Sequence, residues 1–275
     1  MTLSQLRSKG ERRLPPVVLA YLESAVLAKP LREVGSFFAL SLDILMQMVR
    51  PPLAWREFIH QAWFVARTSM MPAVFLSIPF NVLSVFIINI LLVEIGGADA
   101  SGAGSAMASV VYIGPIAAVL VVAGTSATAI CADLGARTIR EEVSAMRVMG
   151  IDPVQRLLVP RVLAIGLNGL FVNSIITVVG LVTGYFFSVY LQHVNPGSYA
   201  ASLTLLVGLP DVIVAFAKAM LFGVVAGLIA CYKGVTVGGG AQGVGNAVNE
   251  TVVYTFIALF VMNLALTAFA NQAAI

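Results

Sequence analysis

Long runs of residues without a charge constrain this chain more than anything else in it. There are 26 uncharged residues between Arg67 and Glu94, 33 between Asp99 and Asp133, 49 between Arg161 and Asp211, and 25 after Glu250. A helix needs about 20 predominantly apolar residues to cross the hydrocarbon core of a bilayer. Each run is long enough for one crossing, and the 49-residue run holds two, because the turn-rich patch Gln192-His193-Val194-Asn195-Pro196-Gly197-Ser198 interrupts it. Five spans are expected, at roughly 67–93, 106–132, 159–191, 203–232 and 251–273. Composition agrees: 59% of the 275 residues are hydrophobic and 11% charged, too few charges to clothe a water-soluble domain of this size. The fold class expected is an all-α membrane protein.

The basic residues set the expected orientation. Nine Lys and Arg lie up to and including Arg67, five lie from Arg137 to Arg161, and Lys233 sits in the fourth loop, while the first and third loops have none. Short cytoplasmic segments carry the excess positive charge. The chain is therefore expected in the cell (inner) membrane with its N-terminus cytoplasmic and its C-terminus external. Trp55 and Trp63 precede the first span, where interfacial anchors belong.

Ahead of that span, Glu33, Ser36, Asp43 and Gln47 recur at helical spacing opposite Phe37, Phe38, Leu40, Ile44, Leu45 and Met48. This predicts an amphipathic helix in the cytoplasmic interface, stopped at Arg50-Pro51-Pro52, with a sixth span as the alternative. The polar, basic N-terminus has no apolar h-region of a signal peptide, so the whole chain is expected to be retained. The domain reading is residues 1–66 as cytoplasmic N-terminus and interfacial helices, and 67–275 as a five-span domain with a cytoplasmic segment at 133–158.

Most chemical motifs dissolve in their context. A G-x-G-x-x-G pattern at Gly238–Gly243 has no strand before it, so it reads as a flexible loop and not a cofactor cradle. His60 and His193 fall on opposite membrane sides and cannot share a metal or a triad. Cys131 and Cys231 read as small core residues, and Asn249-Glu250-Thr251 as a silent sequon on the inner side. Gly180/Gly184 and Gly223/Gly227 have the small-xxx-small spacing of close helix packing. The net charge of +3 is not clustered with stacking aromatics, so no nucleic acid is expected. No catalytic residue, cofactor or metal is expected.

Two features remain. Thr138 and Glu141 have capping-box spacing, Ile139, Val143, Met146 and Gly150 share one helical face, and Gly150 with Asp152-Pro153 is a stop. A short cytoplasmic helix with an apolar stripe follows, which either packs on its own bundle or enters a partner's groove. In the fourth span, Asp211 and Lys218 lie seven residues apart on nearly one face, so they are expected to form an intramembrane polar pair, with Lys218 near mid-membrane. That pair serves either a structural network or a transport path.

The chain resembles the MlaE/YrbE family, the permease subunits of ABC-type lipid transporters that work with MCE proteins. The resemblance rests on Ala132-Asp133-Leu134-Gly135, Glu141-Glu142-Val143, Ala145-Met146, Val148-Met149-Gly150-Ile151-Asp152-Pro153 and Pro160-Arg161-Val162-Leu163-Ala164. Gly114-Pro115, Ala123-Gly124, Asp211, Lys218, Phe222-Gly223, Tyr232-Lys233-Gly234 and the segment Gly239–Gly245 extend it over about residues 60–275. It implies an interfacial helix plus five spans, and a coupling helix that docks on the ATPase through Glu141, Glu142, Met146 and Met149. Thr125, Arg137, Ser144 and Asn246 depart from the commoner family pattern. They are most like the actinobacterial YrbE-type permeases, in which two different permeases pair. The implied partners are ABC ATPase subunits, a second YrbE-like permease, external MCE proteins and a lipid. Two other classes stand beside this: a secondary transporter with an Asp211/Lys218 ion or proton relay, disfavoured by the lack of repeated halves, and an intramembrane lipid-modifying enzyme, disfavoured by the lack of a catalytic constellation.

Overall fold

The structure is a computed structural model and describes residues 16–50 and 54–273. Among the described residues all regular structure is helical. The chain up to Leu42 and the chain from Asp43 form separate compact units. Helix α1 runs from Pro16 to Met48, opening on a proline, whose missing N–H would be unsatisfied there in any case. It is longer than the amphipathic stretch that begins at Glu33. It carries Glu23, Lys29, Arg32, Glu33 and Asp43 and is not among the five helices long and apolar enough to cross a membrane. The basic stretch before Pro16 and the Pro51-Pro52 stop lie outside the described residues.

The five long apolar helices are α2 (Trp55–Glu94), α3 (Ser101–Ile139), α5 (Val154–Leu191), α7 (Leu209–Val235) and α8 (Gly240–Ala273); the short helices α4 (Glu142–Val148) and α6 (Pro196–Ser202) lie between them. Charge gaps stop at the first ionisable side chain, whereas helices continue into the polar interface, so α2 starts 12 residues before Arg67. The fourth span is shorter than expected at its start. It begins at Leu209, not near Leu203, because Gly208 is extended (φ −95°, ψ 174°) and Pro210 sits in the first turn. The glycine-rich segment also needs correction: Gly240 to Gly245 are the opening turns of α8, not a loop. A side chain at Gly243 would overlap the Gly238 carbonyl, where the chain folds back on itself.

Cross-helix contacts give the topology. Ser69 meets Asn168 and Asn89 meets Ser188, both 99 residues apart. A constant offset over 20 residues, about 30 Å, means that α2 and α5 run parallel through a full bilayer thickness. Between α5 and α7, Gly169, Gly166 and Val162 meet Ala219, Val224 and Gly227 in turn, the falling-and-rising register of antiparallel helices. Asn81–Ser109 with Ile88–Gly104 does the same for α2 and α3, and Lys218–Thr267 with Lys233–Glu250 for α7 and α8. The spans therefore alternate in direction. One end of the bundle gathers Trp55, Asp133, Arg161 and Lys233.

Helix α3 is central, with 67% of its hydrophobic window buried against 22% for α2 and 17% for α8. The two outer helices each touch the bundle along one line. On α2 it is Gln61, Val65, Ser69, Ala73, Ser77, Asn81, Val85 and Asn89; on α8 it is Ala247, Thr251, Thr255, Leu259 and Asn263. Both are strict four-residue rows, the ridge that helices use for packing at an inclined crossing. Their outer faces expose Met71, Phe75 and Leu83 on α2, and Val261 and Leu264 on α8, as lipid-facing surfaces do.

The α5–α7 contact has no room for side chains. A Cβ at Gly223 would overlap the Ile165 carbonyl oxygen and lie 2.8 Å from the Gly166 Cα, backbone atoms that cannot swing aside. Gly223→Val is expected to force the two helices apart and cost about 1–3 kcal/mol or more, seen as a lowered unfolding temperature in detergent, while Gly124→Ala, where nothing lies within 4 Å, leaves it unchanged.

Candidate functional site

The charged end of the bundle is organised around Arg161, at the start of α5 and 0% exposed. Its Nη2 lies 2.6 Å from Oδ2 of Asp133, on the last turns of α3, and its Nη1 donates to the Leu157 carbonyl at 2.9 Å. Glu57 of α2 approaches the same Nη2 at 4.0 Å. The other oxygen of Asp133 accepts from Arg137 Nε at 3.3 Å, and Arg137 Nη1 lies 3.8 Å from Glu142 Oε2. Arg140 Nε completes the path at 3.3 Å from Glu142 Oε1. A guanidinium out of water is tolerated only with close, well-aimed acceptors. The sequence meets that need with carboxylates from two other helices, so α2, α3, α4 and α5 are joined by one chain of charges. In sequence Asp133 and Arg161 stand only as motif residues, and their bond to each other was not foreseen.

Helix α4 hangs from this hub. The expected capping box at Thr138 is not formed. Thr138 belongs to the last turn of α3, and its hydroxyl donates back to the Leu134 carbonyl at 2.9 Å. The helix breaks after Ile139 at Glu141, which takes the left-handed conformation (φ 58°) and stands before α4 without a side-chain cap. The stop is as expected. Gly150 (φ +75°) donates to the Arg147 carbonyl and Ile151 to the Met146 carbonyl, the two bonds of a Schellman motif. Asp152 then accepts the Val154 N–H at 2.9 Å to open α5.

The four coupling residues are thus divided. Glu141 is exposed. Glu142 is half-buried and turned inward to Arg137 and Arg140. Met146 is half-buried, while Met149 is 66% exposed, beside Val148 at 89% and Ile151 at 42%. Only Val143 of the stripe is buried. Of the two alternatives for the stripe, packing on the chain's own bundle holds at Val143, while Val148, Met149 and Ile151 beside it are exposed. In sequence Val148 and Ile151 stand only as motif residues, without a role.

In the spans, Asp211 and Lys218 have separate partners. Asp211 Oδ2 accepts the Gly208 N–H at 2.9 Å, closing the first turn of α7. Lys218, 5% exposed, donates from Nζ to Thr267 Oγ1 of α8 at 3.1 Å. Seven residues of helix put the two groups about 10 Å apart along the axis, and each has found a nearer partner. Lys218 lies nine residues beyond Leu209, about 14 Å into the helix, so its depth is that of the bilayer middle. Lys218→Met deletes the charge without stranding a carboxylate, and is expected to leave folding intact; a loss of assembled protein would instead make Lys218 a structural requirement.

A separate polar line was missed in sequence. Asn168 of α5 donates to Ser126 of α3 at 3.0 Å and accepts from Ser69 of α2 at 3.1 Å; Ser109 donates to Asn81 at 2.8 Å and Asn89 to Ser188 at 2.7 Å. Each such bond contributes about 0.6–2 kcal/mol inside a membrane. The signal lay in uncharged polar residues at four-residue spacing on α2, invisible to a count of charges. No group of three or more His, Cys, Asp and Glu among the described residues forms a metal site.

Comparison with known proteins sets this geometry in a family. The family model described as Permease MlaE matches residues 58–269. A "Probable ABC transporter permease protein" of Rickettsia bellii is 30% identical over 244 residues, covering 86% of this chain and 91% of its own length. A probable ABC transporter permease protein of Rickettsia prowazekii is 28% identical over 257 residues, covering 90% and 96%. The protein TRIGALACTOSYLDIACYLGLYCEROL 1, chloroplastic, of Arabidopsis thaliana is 30% identical over 162 residues, which are 59% of this chain and 46% of that protein. With five alternating spans, a charged hub and a family match over most of its length, the chain belongs to the MlaE permease family, as a multi-pass ABC transporter permease.

Proposed function

We propose that the chain is the permease subunit of an ABC-type transporter that moves a hydrophobic lipid across the cell envelope, with two ATPase subunits on the side of the charged hub and MCE proteins on the other. The observation that carries it is helix α4. It is short, stopped at both ends by backbone turns, carries the exposed Val148, Met149 and Ile151 at and just past its C-terminal end, and is tied through Glu142 and Arg137 to the ends of two spans. A helix built in that way can receive a push from a docked ATPase and pass it to α3 and α5. Glu141 meets basic groups of that partner, and the methionine and valine side chains supply adaptable apolar contact.

The lipid class rests on the galactolipid in the name of the Arabidopsis relative and on the family resemblance. The excess of Lys and Arg at the hub end supports a cytoplasmic N-terminus, an interfacial α1 and a coupling segment at 133–158. The departures at Thr125, Arg137, Ser144 and Asn246 support pairing with a second, different permease. A relay through Asp211 and Lys218 is disfavoured, because Asp211 serves as a helix cap.

Co-expression with an ABC ATPase tests the assignment. The purified complex is expected to hydrolyse ATP with vanadate sensitivity, and the chain alone to show no saturable ATP binding, since it has no lysine-bearing phosphate cradle. Saturable binding by the chain alone, centred on Gly238–Gly245, overturns it.

A further inference from the structure

A half-open cleft of about 510 Å³ lies between the first turns of α2 and the start of α5, lined by Ala54, Trp55, Arg56, Glu57, His60 and Arg156. Arg56 and His60 stand one turn apart on α2, and Arg156 enters from α5. All three are exposed, and among the described residues none is in an ion pair. The one carboxylate of the cleft, Glu57, is engaged elsewhere: it accepts from Gln61 at 2.8 Å and faces the buried Arg161 at 4.0 Å. Among the described residues the walls therefore offer two guanidinium forks and an imidazole, beside one carboxylate whose Oε1 takes both of those contacts. Guanidinium forks match the oxygens of a phosphate, two N–H groups to two oxygens.

The depth of the cleft says where such a phosphate comes from. Trp55, Ile59 and Trp63 follow one another at four-residue spacing on α2 and are 64%, 64% and 69% exposed. They form a face next to the Arg56 and His60 positions. Tryptophans exposed in this way at the end of a spanning helix sit at the membrane–water interface, which puts the cleft at headgroup level. Beyond them the same row passes the exposed Arg67 and then turns apolar at Met71 and Phe75, where acyl chains find their surface.

We propose that this cleft binds the phosphate of an anionic phospholipid drawn from the leaflet around the hub end of the bundle. The bound chemistry is a phosphate ester held by Arg56, Arg156 and His60, with Trp55 and Ile59 against the glycerol and upper acyl carbons. A zwitterionic headgroup places a cation beside two arginines and is disfavoured. Glu57 lines the cleft and also faces Arg161, so the lipid and the charged hub share a wall. The site depends only on this end lying at a membrane surface, in either leaflet and whatever the permease transports.

The test uses the full chain in detergent, offered an equal mixture of phosphatidylglycerol and phosphatidylcholine and read by native mass spectrometry. Both lipids carry the phosphate, so the choline cation beside two arginines is what separates them, and a preference for phosphatidylglycerol of about tenfold is expected. The double variant Arg56→Gln/Arg156→Gln is expected to lose the preference while unfolding at the wild-type temperature, and Arg56→Lys/Arg156→Lys to keep part of it. Inorganic phosphate in millimolar excess is expected not to displace the lipid; displacement would assign the cleft to a free phosphate and overturn the lipid source. Equal binding of the two lipids by the wild type, or an undiminished preference in the Gln variant, overturns the site, and the wild-type arm decides even if the variant fails to fold.

Discussion

Asp133→Asn is expected to destabilise the chain by about 3–5 kcal/mol, the usual cost of removing one partner from a buried ion pair. Arg161 cannot reach water: it is 0% exposed, its Nε has no partner, and its Nη1 is spent on the Leu157 carbonyl. The 2.6 Å contact to Asp133 is its closest carboxylate, with Glu57 at 4.0 Å. Net stabilities of single domains are about 5–15 kcal/mol, so this one exchange of oxygen for nitrogen removes a large share. Replacing both partners is expected to cost far less, because no charge is then stranded. Asp133→Asn with Arg161→Met should recover most of the loss, and thermal unfolding of the two single variants and the double variant in detergent gives the coupling directly. A loss under about 1 kcal/mol for Asp133→Asn would mean that Glu57 alone satisfies Arg161.

The second large effect is on assembly. Val148→Asp with Met149→Asp places two carboxylates on the most exposed apolar part of α4, while Val143 and the Glu142 contacts to Arg137 and Arg140 stay as they are. Interface anchors of this kind are worth about 2 kcal/mol or more each. The double variant is expected to bind the ATPase at least about 100-fold more weakly and to unfold at the wild-type temperature. Stoichiometric co-purification of the double variant with an active ATPase would place the docking surface elsewhere.

The membrane architecture was legible because a bilayer enforces it: runs of 26 to 49 residues without charge would leave a water-soluble surface bare, and hydrocarbon is the solvent that suits them. The Gly150 stop was legible because positive φ is tolerated at few places in a helical chain; Asp152-Pro153 read only as part of that stop, although it also opens α5. The start of α4 was not legible. The pattern Ser/Thr-x-x-Glu is the same whether the threonine caps the next helix or, as Thr138 does, donates to the carbonyl four residues back. The partners of Asp211 and Lys218 were hidden for a related reason, since spacing shows that two groups share a face but not which neighbour each one meets, Gly208 for one and Thr267 for the other. The bond between Asp133 and Arg161 joins residues 28 positions apart, a contact that only the α3–α5 packing creates.

The charged hub gives α4 one mechanical route into the spans. An ATPase seated on α4, as proposed, would move a helix whose Glu142 holds Arg137, whose neighbour Asp133 holds Arg161, and Arg161 begins the span that packs against both α2 and α7. The proposed work of that movement is the transfer of a lipid. The most direct test places the chain, the second permease proposed for it and the ATPase in vesicles carrying a fluorescent phospholipid and follows lipid leaving or crossing the membrane. The expected result is movement that needs ATP, stops with vanadate, and is lost in the Val148→Asp/Met149→Asp variant although the free ATPase still turns over. Lipid movement that continues without ATP, or that follows an imposed ion gradient and ignores vanadate, would contradict the assignment.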